Sequence, residues 1–323
     1  MKRLAILATI AVAGMTAASL QAQGGLPGIE PIEKVSDNVY KIFGAGGNTV
    51  AFVRSDGVTL IDTKLPGNGQ AILDEVRKVT DKPVTMIINT HSHPDHVGSN
   101  SEIESLAGHV EVIAQANSAK RMAKLPNVRA PDKDFTGRMT IGKGKDEIAL
   151  YWFGAGHTDG DALVVFPAER TMATGDIMAW FMAPLIDPAS GGSMVALPDT
   201  LAKAQDTIKG VDKVIEGHGQ VRSWDEFRSY ITFHRALVDT AKATLAKGGT
   251  PEDGLAVLES NPAFKPFLGD QLLKGLEYGG TPKSRALIDL NVAFQELKGE
   301  PVTTQWGPRP PAPAPAGGDA HQH

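Results

Sequence analysis

The sequence predicts an α+β fold: an αββα four-layer sandwich of two mixed β-sheets flanked by helices, continued by a helical C-terminal extension. Three observations lead there. Short apolar runs alternate with helix-patterned segments on both sides of a histidine-rich loop. Several of those runs end in a histidine or aspartate flanked by glycine. Beyond Ser223 the texture changes to helical periodicity.

The elements follow in order. Lys2 and Arg3 precede an apolar, small-residue run over 4–18. This reads as an export signal occupying 1–22 and cleaved near Ala22, although Leu20 is larger than the residue usual three positions back. The run is short for a membrane span, and Gly24, Gly25, Pro27 and Gly28 follow it. The mature chain is therefore expected without a stable membrane anchor, in a periplasm where the cell has one. Residues 70–76 fit a helix with an apolar face, and 84–88 a buried strand. A helix over 99–106 and a strand over 110–114 come next. Strands over 147–153, 162–166 and 214–215 complete a sandwich spanning 30–222.

The extension is predicted over 223–300. Trp224, Phe227, Ile231, His234, Val238, Ala241 and Leu245 recur at steps of three and four, one face of a long helix. His234 lies on that apolar stripe and reads as a hydrogen-bonded core histidine. Asp225 and Glu226 suit the first turn and Lys242 and Lys247 the last. Gly248-Gly249 stops the helix, and two more are expected over 251–259 and 284–297. The proline- and alanine-rich tail, 307–323, is expected to be disordered.

With 323 residues, 41% of them hydrophobic, the chain can build a large core. Its net charge is -5 and it has no basic run of the kind that tracks nucleic acid, so a small-molecule substrate is expected and a nucleic-acid partner is not. It has no cysteine, hence no disulfide. Its oligomeric state stays open.

The chemistry is concentrated after the strand at 84–88. Thr90-His91-Ser92-His93-Pro94-Asp95-His96 places three histidines and a carboxylate on one loop. Alternate residues of an extended segment point the same way, so His91 and His93 can grip one cation. Asp95 and His96, one step on, can turn toward a second. His157 stands in Gly-His-Thr-Asp-Gly, Asp176 in Thr-Gly-Asp and His218 in Gly-His-Gly, each near the end of a predicted strand. Glycine lets the backbone bend and approach a site closely. Five histidines and two aspartates are enough for two ions of zinc or a similar divalent metal.

The ordered set His91-x-His93-x-Asp95-His96, His157, Asp176, His218 resembles the metallo-β-lactamase superfamily. The resemblance covers roughly 35–222, and the segments at 38–42, 48–53 and 57–63 look like that family's opening strands. It implies that His91, His93 and His157 hold a first metal, that Asp95, His96 and His218 hold a second, and that Asp176 bridges them. Asp62 resembles a carboxylate that steadies the His91 loop from behind. Some antibiotic-hydrolysing members carry cysteine or serine where Asp176 stands. An aspartate there is more usual among thioester hydrolases such as glyoxalase II, lactonases and phosphodiesterases. Fold and metal site leave the substrate undefined.

Two metals close together supply hydroxide near neutral pH and polarise a carbonyl or phosphoryl oxygen, with Asp95 placed to orient the hydroxide and pass its proton on. The apolar segment 177–186, with Trp180 and Phe181, is expected to line the substrate cleft or to form a lid on the C-terminal helices. Gly191-Gly192-Ser193 after it reads as a hinge. The leading expectation is a secreted dizinc hydrolase of amide, lactone, ester or thioester bonds, with β-lactams among the candidates. The alternatives are an oxidoreductase of the persulfide dioxygenase kind with a single iron, and a metal-binding protein without catalysis.

Overall fold

Strand burial shows how the layers stack. The first sheet holds β1 (Glu33–Lys34), β2 (Val39–Ile42), β3 (Thr49–Val53), β4 (Val58–Ile61), β5 (Val84–Asn89), β6 (Glu111–Gln115) and β7 (Lys133–Phe135), in sequential order. Its first four strands pair antiparallel; from β4 onward the pairing is parallel. The second sheet runs β13 (Val221–Ser223), β12 (Lys213–Ile215), β11 (Thr171–Ala173), β10 (Leu163–Phe166), β9 (Ile148–Tyr151) and β8 (Arg138–Ile141), with only β11 and β12 parallel. The structure is a computed structural model and describes residues 28–270 and 280–302. The predicted export signal and the 307–323 tail lie outside the described residues.

Strand residues alternate between two cores, as a period of two requires. Met86 and Ile88 of β5 face the second sheet, where they meet Val164 and Phe166 of β10. Ile87 faces outward to α1 (Gly69–Arg77) and α3 (Asn100–Ala107), which follows the single-turn α2 (Pro94–Val97), and a register shift at Thr85 puts Val84 on that same face. Phe52 and Phe166 touch across the sheets, ring centroids 4.8 Å apart. Burial on both faces explains why β5 and β10 are apolar without alternation.

The sequence reading lacked several elements. The edge strands β7 and β8 are largely exposed and carry Lys133, Asp134 and Arg138, so they have no apolar signature. Short β13 lies at the boundary drawn between the sandwich and the helical extension, and α4 (Ala116–Met122) continues directly from β6. The helix α5 (Leu197–Thr207) did have a signal, since buried Leu197, Leu201 and Ala204 fall at helical spacing.

Among the described residues, three C-terminal helices follow: α6 (Trp224–Ala246), α7 (Pro251–Glu259) and α8 (Pro282–Lys298). A capping box of Ser223 and Glu226 starts α6. Phe227, Leu237 and Val238 of α6 and Leu290 and Phe294 of α8 share one core with Leu163, Met172 and Val214 of the second sheet. The helices thus cover the sheet face opposite the first sheet. His234 is fully buried, as its position on the stripe predicts, and its Nδ1–H donates to Tyr230 O at 2.7 Å.

Candidate metal centre

The candidate ligands meet at one end of the sandwich, on the loops after β5, β9, β11 and β12. Parallel pairing aligns Ile61 with Ile88 and so brings Asp62, just past β4, beside Thr90. Asp62 Oδ1 accepts from Thr90 N at 2.8 Å, and Oδ2 accepts from Thr90 Oγ1 and from His96 Nδ1–H, both at 2.7 Å. The carboxylate expected to steady the His91 loop thus grips Thr90 and His96. Its bonds commit both oxygens, so Asp62 is a brace, although it also lies within ligand distance of His91 and His96.

His91, His93 and His157 form one cluster and Asp95, His96 and His218 another. Within the second, His218 Nε2 lies 3.2 Å from Asp95 Oδ2 and 3.3 Å from His96 Nε2. Asp176 sits between the clusters: Oδ1 is 3.2 Å from His96 Nε2, and Oδ2 is 3.4 Å from His218 Nε2 and 3.9 Å from His157 Nε2.

Outer partners fix which nitrogen of each ring is bare. The one proton of Thr90 Oγ1 goes to Asp62, so Oγ1 accepts from His91 Nδ1–H at 3.0 Å. His93 Nε2–H donates to Asp187 Oδ2 at 2.8 Å, and His157 Nδ1–H donates to Leu185 O. His96 Nδ1–H is held by Asp62. The rings of His91, His93 and His157 therefore turn unprotonated nitrogens inward, and His96 aims its Nε2 into the same space. His93 Nδ1 and His157 Nε2 face each other at 2.9 Å with no proton for a bond between them. Among the described residues, His91 Nε2 and Asp176 Oδ1 are buried and have no hydrogen-bond partner. Buried acceptors left bare are costly; a divalent cation satisfies all of them, so this donor set fits a metal.

The electrostatics of the two sides differ. Burial pushes His91 well below its usual range, helped by His96, His93 and His157. Burial also lowers His157, to about 4. Against burial, Asp176, Asp62 and Asp95 raise His96 well above its ordinary value, and Asp176 and Asp95 raise His218 to about 9. In return, and again against burial, these imidazoles hold Asp95 and Asp176 well below the carboxylate range. A cation replacing the protons of His96 and His218 meets the same two carboxylates.

Close backbone approach completes the site. A Cβ on Gly47 would overlap the His96 ring, and one on Gly217 would strike Asp176 Oδ1. Asn48 ties these loops together, its N–H donating to Gly217 O at 2.6 Å.

The expected substrate wall divides. Trp180 stacks on His218, centroids 4.2 Å apart and planes 19° apart, and lines a small cavity beside Asp176 with Met182, Pro184, Leu185 and Arg285. Phe181 turns away, packing on Phe267 at 4.6 Å beneath the Arg222 guanidinium. It is half-buried, packs against the core and is not part of the cavity lining. Gly191-Gly192-Ser193 is a tied corner rather than a hinge: Gly192 N–H donates to Asp187 O and Ser193 N–H to Gly156 O. Asp187, Leu185 O and Thr90 are the contributors that sequence reasoning missed. Thr90 lay in the motif, whereas Asp187 and a backbone carbonyl leave no compositional trace.

Comparison with known proteins bears on the family and the fold. The family model described as the metallo-beta-lactamase superfamily matches residues 43–181, which include every candidate ligand but His218. The chain is 32% identical over 156 residues to a metallo-beta-lactamase type 2 of Elizabethkingia meningoseptica, covering 46% of this chain and 61% of that protein's length. It is 25% identical over 199 residues to metallo-beta-lactamase IND-1 of Chryseobacterium indologenes, covering 59% and 82%. Among solved structures, a metallo-beta-lactamase from Pontibacter korlensis superposes with a TM-score of 0.57 at 19% identity, over 64% of this chain and 99% of that one. A double mutant of the sec-alkyl sulfatase PisA1 superposes with a TM-score of 0.63 at 15% identity, over 83% of this chain and 50% of that one. At such identities the structural likeness concerns the fold.

Proposed function

The chain belongs to the metallo-β-lactamase superfamily, and we propose that it is a metal-dependent hydrolase with two zinc ions that cleaves an amide, lactone, ester or thioester bond of a small molecule. β-Lactams are among the candidates. The observation that carries the reading is the convergence of bare imidazole nitrogens, each fixed by an outer partner, around Asp176. His91, His93 and His157 would hold one ion, Asp95, His96 and His218 the other, with Asp176 between. When bound, the pair supplies a hydroxide at neutral pH and polarises the scissile carbonyl.

The protein's own part is orientation and proton handling. Asp62, Asp187, Thr90 and Leu185 O hold the rings in one tautomer. Asp95 has the most open side chain of the second cluster, 30% exposed, and is held ionised. Its carboxylate orients the attacking oxygen and carries its proton to the leaving group. Trp180 walls the cleft beside His218. The sandwich over 30–222 is the catalytic unit and the helices over 223–300 its backing. The charged and apolar N-terminal segment directs export to the periplasm.

The test is metal content of the tag-free protein, with hydrolysis of a chromogenic β-lactam, a lactone and a thioester. Two zincs per chain and chelator-sensitive turnover are expected, with at least a hundredfold loss in Asp95→Asn. One iron with oxygen consumption, or metal without turnover across the panel, overturns the proposal.

A further inference from the structure

We propose that Glu216 is a positioning residue: its buried carboxylate holds the turn that presents His218 together with the Trp180 ring stacked on it, and Arg222 fastens that unit to the start of α6. This deepens the hydrolase reading and rests on it for the role of His218.

His218 differs from the other rings of the centre. His91, His93, His96 and His157 are each braced from behind by a hydrogen bond. Among the described residues none reaches His218 Nδ1, and the ring's polar contacts all run through Nε2. Its direction must come from its turn. Pairing of β12 with β13 ends at Ile215 and Val221, so the loop 216–220 carries His218 from a hairpin of two short strands. So short a hairpin needs anchors beyond its ladder bonds. The Glu216 side chain is buried and folds back into this loop. Its Oε2 accepts from Gln220 N–H and its Oε1 from Arg222 Nε–H, both at 2.9 Å. The carboxylate therefore bridges the turn, with His218 between its ends. Gly219 is left-handed, φ 109°, and a Cβ there would lie 2.3 Å from Glu216 Oε2, so this glycine makes room for the carboxylate.

The same carboxylate reaches the Trp180 side. Against burial, Arg222 and the N–H groups of Gln220 and Phe181 favour its charged form. Phe181 follows Trp180 in a left-handed pair, φ 50° and 52°, and the Arg222 guanidinium lies 4.6 Å from the Phe181 ring centroid. Trp180 N–H donates to His218 O at 2.8 Å, and its ring lies flat on the imidazole. Trp180 and His218 are thus joined by backbone and by ring, and Glu216 ties down both partners. Arg222 Nη1 also donates to Glu226 Oε1 at 3.3 Å, and Glu226 closes the capping box that starts α6. A buried ion pair adds little net stability, but its charge-assisted bonds have a fixed geometry. A ligating ring needs that constancy from its outer partners. Glu216 and Arg222 both lie beyond the residues matched by the family model.

The experiment uses the full chain labelled with 5-fluorotryptophan. Glu216→Gln keeps the shape of the side chain and removes its charge. In the metal-free chain the Trp180 fluorine resonance, assigned with Trp180→Phe, should shift in Glu216→Gln by more than its linewidth. The Trp152 resonance, outside the tie, should stay. With zinc added, competition against a fluorescent chelator should show one of two zincs weakened roughly tenfold. In a His218→Ala background the same substitution should change the remaining zinc less than about twofold, a result that general destabilisation would not give. An unmoved Trp180 resonance, undiminished zinc affinity, or an equal loss with and without His218 overturns the assignment. Should Glu216→Gln not fold, Arg222→Gln removes the cation instead and should move the same resonance and weaken the same zinc. Fewer than two zincs on wild type refutes the dizinc hydrolase reading, and the fluorine spectrum of the metal-free chain then decides the assignment by itself.

Discussion

Replacing Asp62 with asparagine tests whether the metal centre is held from behind. The side chain accepts three hydrogen bonds, from Thr90 N, Thr90 Oγ1 and His96 Nδ1, and is 2% exposed. Its backbone is left-handed, φ 61°, a region asparagine tolerates, so the substitution adds no backbone strain. The amide has one acceptor oxygen where the carboxylate had two. In the better orientation that oxygen keeps Thr90 Oγ1 and His96, and the amide NH₂ then faces Thr90 N–H, donor against donor. The unsatisfied donor costs about 1–3 kcal/mol, and two charge-assisted bonds become neutral at about 1 kcal/mol each. The sum is about 3–5 kcal/mol, or a fall in Tm of roughly 6–20 °C. His96 also loses the anion that raises its basicity, so zinc affinity should fall about 10–100-fold at one of two sites. Competition against a fluorescent chelator and thermal unfolding with and without zinc read both effects. A variant that binds two zincs with wild-type affinity and unfolds within 2 °C of wild type would refute the reasoning.

Two further outcomes are expected. Burial holds His234 neutral, with its pKa lowered to about 4. The unfolded chain therefore binds more protons below pH 6.5; this contribution is complete above that pH and is lost as pH falls toward 4. Between pH 7 and pH 5 it should cost about 2 kcal/mol, visible as a shallower pH dependence of urea unfolding in His234→Gln than in wild type. Glu296 accepts from Ser193 Oγ, Met194 N and Val195 N. Glu296→Gln should cost about 1–2 kcal/mol and lower the Tm by several degrees, and an unchanged melting curve would count against the tie.

The parts legible in the sequence were those whose signal is local. His91, His93, Asp95 and His96 declare themselves by residue type and spacing, and β5 and β10 by their apolar runs. The stripe of α6 is periodic over its length, and the helix spans Trp224–Ala246. The illegible parts depend on tertiary pairing. Asp187 meets His93 across 94 residues, and Leu185 contributes a carbonyl that any residue would supply. β7 and β8 are exposed edges, so no burial is written into them. Trp180 and Phe181 are adjacent and chemically alike. Two left-handed residues in succession, rather than composition, send one to the metal cleft and the other to the core.

That division makes the segment between β11 and α5 the organising element of the site. It begins with Asp176, between the two clusters, and continues through Trp180 on His218, Leu185 O on His157 and Asp187 on His93. Such a segment has little regular structure to hold it, and the C-terminal helices supply the restraint. Tyr230 Oη of α6 donates to Ile177 O at 2.8 Å, next to Asp176. Phe181 packs at a tilt on Phe267, and Glu296 of α8 caps the far end at Ser193. Ring orientation within the centre is thus set from two directions. Asp62 does so through the first sheet, and the helices do so through a loop that also carries the substrate wall. A change in α6 or α8 can therefore reach Asp176 and Trp180 together through packed contacts, and under the proposed function it would couple metal geometry to substrate choice.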